Sequence, residues 1–122
     1  MTVIEQLVAE CSALGHEQMP GHVRAAARHS VLDWTGCAVA GQDEPLAGML
    51  RDEVAGASSG AASLIGRRAK TSVAAAALVN GAGGHALDFD DTNLTMRGHP
   101  TAAVLPAVLA LAEEVGERPG AT

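Results

Sequence analysis

The chain has 122 residues, a length that fits one domain or part of one. Its 8 Lys+Arg against 14 Asp+Glu give a formal charge of −6 with no basic tract, which speaks against a nucleic-acid binder that draws affinity from phosphate contacts. An apolar fraction of 48% excludes a disordered chain, yet 25 of those residues are Ala and only 31 are Val, Ile, Leu, Met, Phe or Trp.

Burying a large aliphatic side chain contributes roughly 1.5–3 kcal/mol, and burying Ala much less. The composition therefore predicts a thin core, and with it one slice of a larger helical protein. Five segments read as helices, most of them stopping at a glycine. The first covers residues 2–14, with Val3, Leu7, Cys11 and Leu14 on one face. Its acidic Glu5 and Glu10 and its lack of a basic start rule out a signal peptide. The second follows Pro20 and carries Val23, Ala27, Val31, Trp34 and Ala38 at helical spacing before Gly41. Both cysteines, Cys11 and Cys37, fall at apolar helical positions and read as buried reduced thiols, which makes a cytoplasmic location the default expectation.

The third helix covers residues 44–55, with Leu46, Met49, Leu50 and Val54 inward. After the loop at 57–63, the short piece 63–65 is either a strand or merely extended. Ser72 can cap the fourth helix, whose run from Val73 to Val79 is apolar all round and so belongs at the centre of a larger structure. Asn80, Gly81, Gly83 and Gly84 are expected to end it in a flexible terminus. The fifth covers 101–115, with Val104, Val108, Leu111 and Val115 on one stripe and Pro106 either kinking it or marking its regular start. No apolar run approaches the roughly 20 residues a bilayer needs. The tail GERPGAT reads as a turn leading into a further element, with Thr122 placed like a helix N-cap.

Residues 85–106, HALDFDDTNLTMRGHPTAAVLP, hold the densest set of reactive groups. Asp88, Asp90, Asp91 and Thr92 lie together, flanked by His85 and His99. An acidic loop with Asp and Thr as helix caps is the bland reading. Against it stand the glycines that permit close backbone approach, the apolar helix that delivers the loop, and His99 at a helix start where N–H groups can bind an anion. Carboxylates, a hydroxyl and an imidazole converging there suit proton transfer on a carboxylated substrate. A dedicated metal site is disfavoured. The loop lacks the Gly and the closing Glu of a calcium loop, and zinc would want Cys or more His at ligand spacing. DFDDT also fits the D-x-D-x-T pattern of haloacid-dehalogenase-type phosphatases. Here no hydrophobic strand precedes it, and the 30 residues after Thr92 are too few for the rest of that fold.

NGAGGHALDFDDT followed by GHPTAAVLPAVLALAE resembles the signature region of the MmgE/PrpD family, which includes 2-methylcitrate dehydratase, cis-aconitate decarboxylase and iminodisuccinate epimerase. GRRAKTSVAAAALVNG (66–81) and VLDWTGCAVAG (31–41) resemble its upstream segments, so the likeness spans nearly the whole chain. It implies an all-α fold: about five helices forming the first part, residues 1–122, of the family's larger helical domain, with its α/β lid absent. It implies a homodimer or another homo-oligomer and no cofactor, while the residues themselves speak for no metal and for no nucleic-acid or membrane partner. The substrate it implies is a small polycarboxylate. The leading reaction is a hydro-lyase elimination of water from a 2-methylcitrate-like acid, as in propionate catabolism; decarboxylation, epimerisation or isomerisation within the family is the alternative. By the resemblance Asp88 and Thr92 line the site, as does His99, the one side chain beside the motif able to act as base near neutral pH.

Asp88 is expected to orient an imidazole or a substrate hydroxyl, and Thr92 to hydrogen-bond the substrate. Asp91 and His85 join the substrate side, and Arg97 either offsets their charge or is simply solvated. The spacing from Thr92 to His99 is seven residues, one longer than in some relatives, so residues 93–97 are expected to bulge. The family's later lysine and histidine residues would complete the site, so the chain by itself is expected to carry half a site and little activity. A non-catalytic helical fragment or interaction module is the reading of a different class.

Overall fold

The structure is a computed structural model, and it describes residues 1–15 and 18–116. The expected N-cap at Thr122 lies outside the described residues. The architecture is all-α, with one two-stranded ribbon. Helix α1 spans Val3–Ala13, α2 Gly21–Gly41, α3 Pro45–Leu50, α4 Val73–His85 and α5 Pro100–Glu114. A single π-helical turn, Arg51–Ala55, continues α3, so the third predicted helix exists but widens in its second half. Strands β1 (Ala62–Ser63) and β2 (Lys70–Thr71) pair antiparallel, so of the piece at 63–65 only Ser63 is strand and the chain turns at Ile65.

Helix α1 begins with a complete capping box. The Glu5 N–H donates to Thr2 Oγ1 (3.2 Å) and the Thr2 N–H donates to Glu5 Oε2 (2.7 Å). None of its residues is buried, and Val3, Leu7 and Leu14, expected to face inward, are exposed. Cys11 is exposed too, against the sequence expectation, because the helix that carries it packs its apolar face on nothing among the described residues. Helix α2 shows the same division along its length. Val23 and Val31 are exposed, while Trp34, Cys37, Ala38 and Gly41 in its last two turns are buried.

Helix α4 is the hub, packing against α2, α3, the π-helical turn, both strands and α5. Ser72 caps it by accepting from the Ala75 N–H, as its sequence predicts. Its glycines overturn a different expectation: the helix runs straight through Gly81, Gly83 and Gly84 to His85. These residues make room for neighbours and do not loosen the end. A Cβ at Gly84 would collide with the Trp34 indole, one at Gly83 with the Gln42 amide, and one at Gly41 of α2 with the Gly83 carbonyl. The crossing of α2 and α4 is thus a backbone-to-backbone approach that only small residues allow.

Helix α5 also turns a different face inward from the one its large residues suggest. Pro106 and Ala110 are buried, while Val104, Val108, Leu111 and Val115 lie outside. Pro106 is accommodated inside the helix, beside Gly81, where a Cβ would come within 3.5 Å of the ring. The ribbon ties α4 to α5. Asn80 accepts from the Ile65 N–H and donates to the Ser63 carbonyl, both at 2.9 Å. From α5, Glu113 accepts from the Ser63 N–H (2.6 Å) and hydroxyl (2.7 Å). Ala55, Ala62, Leu64, Ala76, Val79 and Ala110 form the small core, flanked by Leu50, Val54 and Val73. Among the described residues no helix is long and apolar enough to cross a membrane.

Candidate functional site

The C-terminal end of α4 and the N-terminal end of α5 meet, and the loop between them carries the acidic run. His85 is the last residue of α4 and His99 the residue before α5, so the packing of the two helices sets the distance between the imidazoles. The rings lie 4.6 Å apart between centroids, tilted by 56°. Past His85 the chain closes a turn, with the Asp88 N–H donating to the His85 carbonyl at 3.0 Å. Asp88 then takes a left-handed conformation (φ 55°), which Asp tolerates better than most residues. That reversal folds Asp90 back beneath the two rings.

The result is a closed arrangement of two imidazoles between two carboxylates. Asp90 Oδ1 lies 2.9 Å from His85 Nδ1 and 3.4 Å from His99 Nδ1. His99 Nδ1 also lies 3.2 Å from the backbone carbonyl of Asp90. On the other side, Asp88 Oδ1 is 3.5 Å from His99 Nε2 and 4.0 Å from His85 Nε2. The carboxylates differ in solvation: the Asp90 side chain is fully buried, while that of Asp88 is 78% exposed. Asp90 stands against α2, where burial, then Asp33, then Asp90 and Asp91 push the Cys37 thiol above its ordinary value. Cys37 is therefore the buried thiol its sequence predicts.

The remaining sequence-predicted residues separate. Asp91 accepts from the Thr101 hydroxyl at 2.8 Å and so ties the loop to the first turn of α5. Thr92 is exposed and makes no side-chain hydrogen bond among the described residues. The stretch 93–98 closes a turn: Asn93 and Gly98 exchange backbone hydrogen bonds, and Asn93 Oδ1 accepts from the Thr95 and Met96 N–H groups. Arg97 lies in that turn at φ 54°, exposed, and pairs with none of the carboxylates. Asp90, which the sequence analysis left without a role, is the most enclosed member of the cluster. Its alternation with Asp88 around Phe89 is a faint signal; burial is what distinguishes it.

An open groove of about 370 Å³ begins at the rings, lined by Gly81, Ala82, His85, His99, Ala102 and Ala103. Its walls are four small residues and two imidazoles, so the rings are its titratable side chains. Donor atoms of His85, Asp88, Asp90 and His99 lie within 4.8 Å of one another, a set that could also hold a divalent cation. Asp90 would then have to give up its contacts to the rings.

Imidazoles paired with carboxylates at the junction of two helices, beside a groove, give this all-α protein a candidate site. The chain belongs to the MmgE/PrpD family, whose N-terminal domain matches residues 5–122. No curated protein matches the chain.

Proposed function

We propose that the chain carries part of a site for proton-transfer chemistry on a citrate-like polycarboxylate, with elimination of water from a 2-methylcitrate-like acid as the leading reaction. The observation that carries this reading is the pair of imidazoles beside the groove, each between an exposed and a buried carboxylate. Elimination begins by removing a proton from carbon next to a carboxylate, and a positioned imidazole is the usual acceptor near neutral pH. In this reading His99 takes that proton and Asp88, 3.5 Å from its Nε2, orients a substrate hydroxyl. Thr92, on the exposed stretch of the loop, offers its hydroxyl to a substrate carboxylate or hydroxyl, with His85, Asp91 and Arg97 on the substrate side.

Charge bears on what the chain can do by itself. Asp88, Asp90 and Asp91 crowd the loop, and among the described residues no Lys or Arg pairs with them. A tricarboxylate therefore needs cations from outside this set. A homo-oligomer belongs to the same reading. Citrate titrated into the 15N-labelled chain is expected to shift the resonances of His85, His99 and the groove residues at millimolar concentrations. His99→Ala is expected to abolish that response. Shifts that persist in His99→Ala, or none at all, would leave the domain as a non-catalytic helical module.

A further inference from the structure

Asp90 is fully buried, lies in the middle of the loop, and faces two histidines at once. Its contacts determine which nitrogen of each ring carries the proton. A backbone carbonyl only accepts hydrogen bonds, and so does an ionised carboxylate. His99 Nδ1 has both as neighbours, the Asp90 carbonyl at 3.2 Å and Oδ1 at 3.4 Å, so that nitrogen must be the donor. His85 Nδ1, 2.9 Å from the same Oδ1, is a donor for the same reason. The neutral rings then have bare Nε2 atoms, and both of these lie on the Asp88 side of the cluster.

We propose that Asp90 is the positioning residue of this site, its carboxylate and its own carbonyl holding His85 and His99 as Nδ1–H tautomers so that the site presents two proton-accepting Nε2 atoms. The proposal rests on the acid–base reading of the site and deepens it. When a C–H bond of the substrate breaks, its proton bonds to Nε2 of one ring and the electron pair stays with the substrate carbon. The imidazolium that forms has a carboxylate near each N–H, Asp90 at Nδ1 and Asp88 at Nε2, so its charge is met on both sides. A buried carboxylate behind an imidazole fixes tautomer and orientation in the same way in hydrolytic triads. Here one carboxylate serves two rings. His85 thereby becomes a second base, where the sequence offered one.

The two rings are held differently, and this provides the test. His85 depends on the Asp90 side chain alone, whereas His99 also has the Asp90 backbone carbonyl, which no side-chain substitution removes. Long-range 1H–15N correlation spectra of the 15N-labelled chain, recorded where the imidazoles are neutral, report the tautomer of each ring directly. In the wild-type chain both rings are expected to show a pyrrole-type Nδ1 and a pyridine-type Nε2. A pyridine-type Nδ1 in either ring overturns the proposal, and this reading needs no variant to fold. In Asp90→Asn, which keeps the shape and removes the charge, His85 is expected to become a tautomer mixture while His99 stays Nδ1–H. Unchanged spectra for both rings would show that the carboxylate positions neither. Asp88→Asn is expected to leave both tautomers in place, and a tautomer change there would transfer the role to Asp88. Loss of the His99-dependent citrate response with the tautomers as expected would defeat the substrate reading alone.

Discussion

Residues with several polar partners hold this small structure together, and Glu113 is the clearest case. Burial alone would raise its carboxyl, but the Ser63 N–H and hydroxyl, with Lys70 nearby, bring it below the ordinary value of 4.5. A carboxyl lowered on folding stabilises the native state above its unfolded value, and that contribution disappears as pH falls through the folded one. Urea midpoints of the wild-type chain are therefore expected to carry a Glu113 component at neutral pH that is lost below about pH 4.5. Glu113→Gln should lack this component and be about 1 kcal/mol less stable at pH 7, a modest figure because the group is partly solvated. Equal acid sensitivity in wild type and variant would refute the assignment. The sequence marks Glu113 only as one of two acids near a helix end; the ribbon that finds it comes from fifty residues earlier.

Among the elements, the crossing of α2 on α4 places the site, because it fixes where α4 ends and hence where His85 stands. Trp34 is wholly buried and lies against Gly84, one residue before His85. Gly84→Ala puts a methyl group into the indole, and neither a rigid ring nor helix backbone yields cheaply. We expect a loss of about 1–3 kcal/mol in chemical denaturation, despite Ala's better helix propensity. Gly116→Ala also removes a glycine, but at a left-handed position with open space around it, and should cost less. A Gly84→Ala chain as stable as wild type would mean that the helices do not approach this closely. Sequence reading located α2, α4 and α5 to within a residue at most ends, because capping and periodicity are local. It misplaced the end of α4, because a glycine that ends a helix and one that admits a neighbour look alike in one dimension.

At the scale of the whole molecule, apolar surface is what remains unpartnered. Val3, Ile4, Leu7 and Val8 on α1 and Val104, Val108, Leu111 and Val115 on and just beyond α5 are all exposed, more than an isolated soluble domain usually leaves in contiguous stretches. The chain alone is expected to self-associate with rising concentration in sedimentation or light scattering, and to melt over a broad range. A monomer with one sharp cooperative transition would contradict the reading of a slice. The helical class, the family and the stretch that carries the candidate site were legible in the sequence, since each rests on patterns a few residues long; the ribbon was not, because its second strand, Lys70–Thr71, has no local signal of its own. The sequence also supplied the identities of His85, Asp88 and His99. Only the tertiary structure decided which faces turn inward, since α1 and α5 have apolar stripes whose covering depends on neighbours distant along the chain. Tertiary structure likewise set Asp90 apart from Asp91, because burial beneath two rings follows from how α4 meets α5 and not from the order of three aspartates.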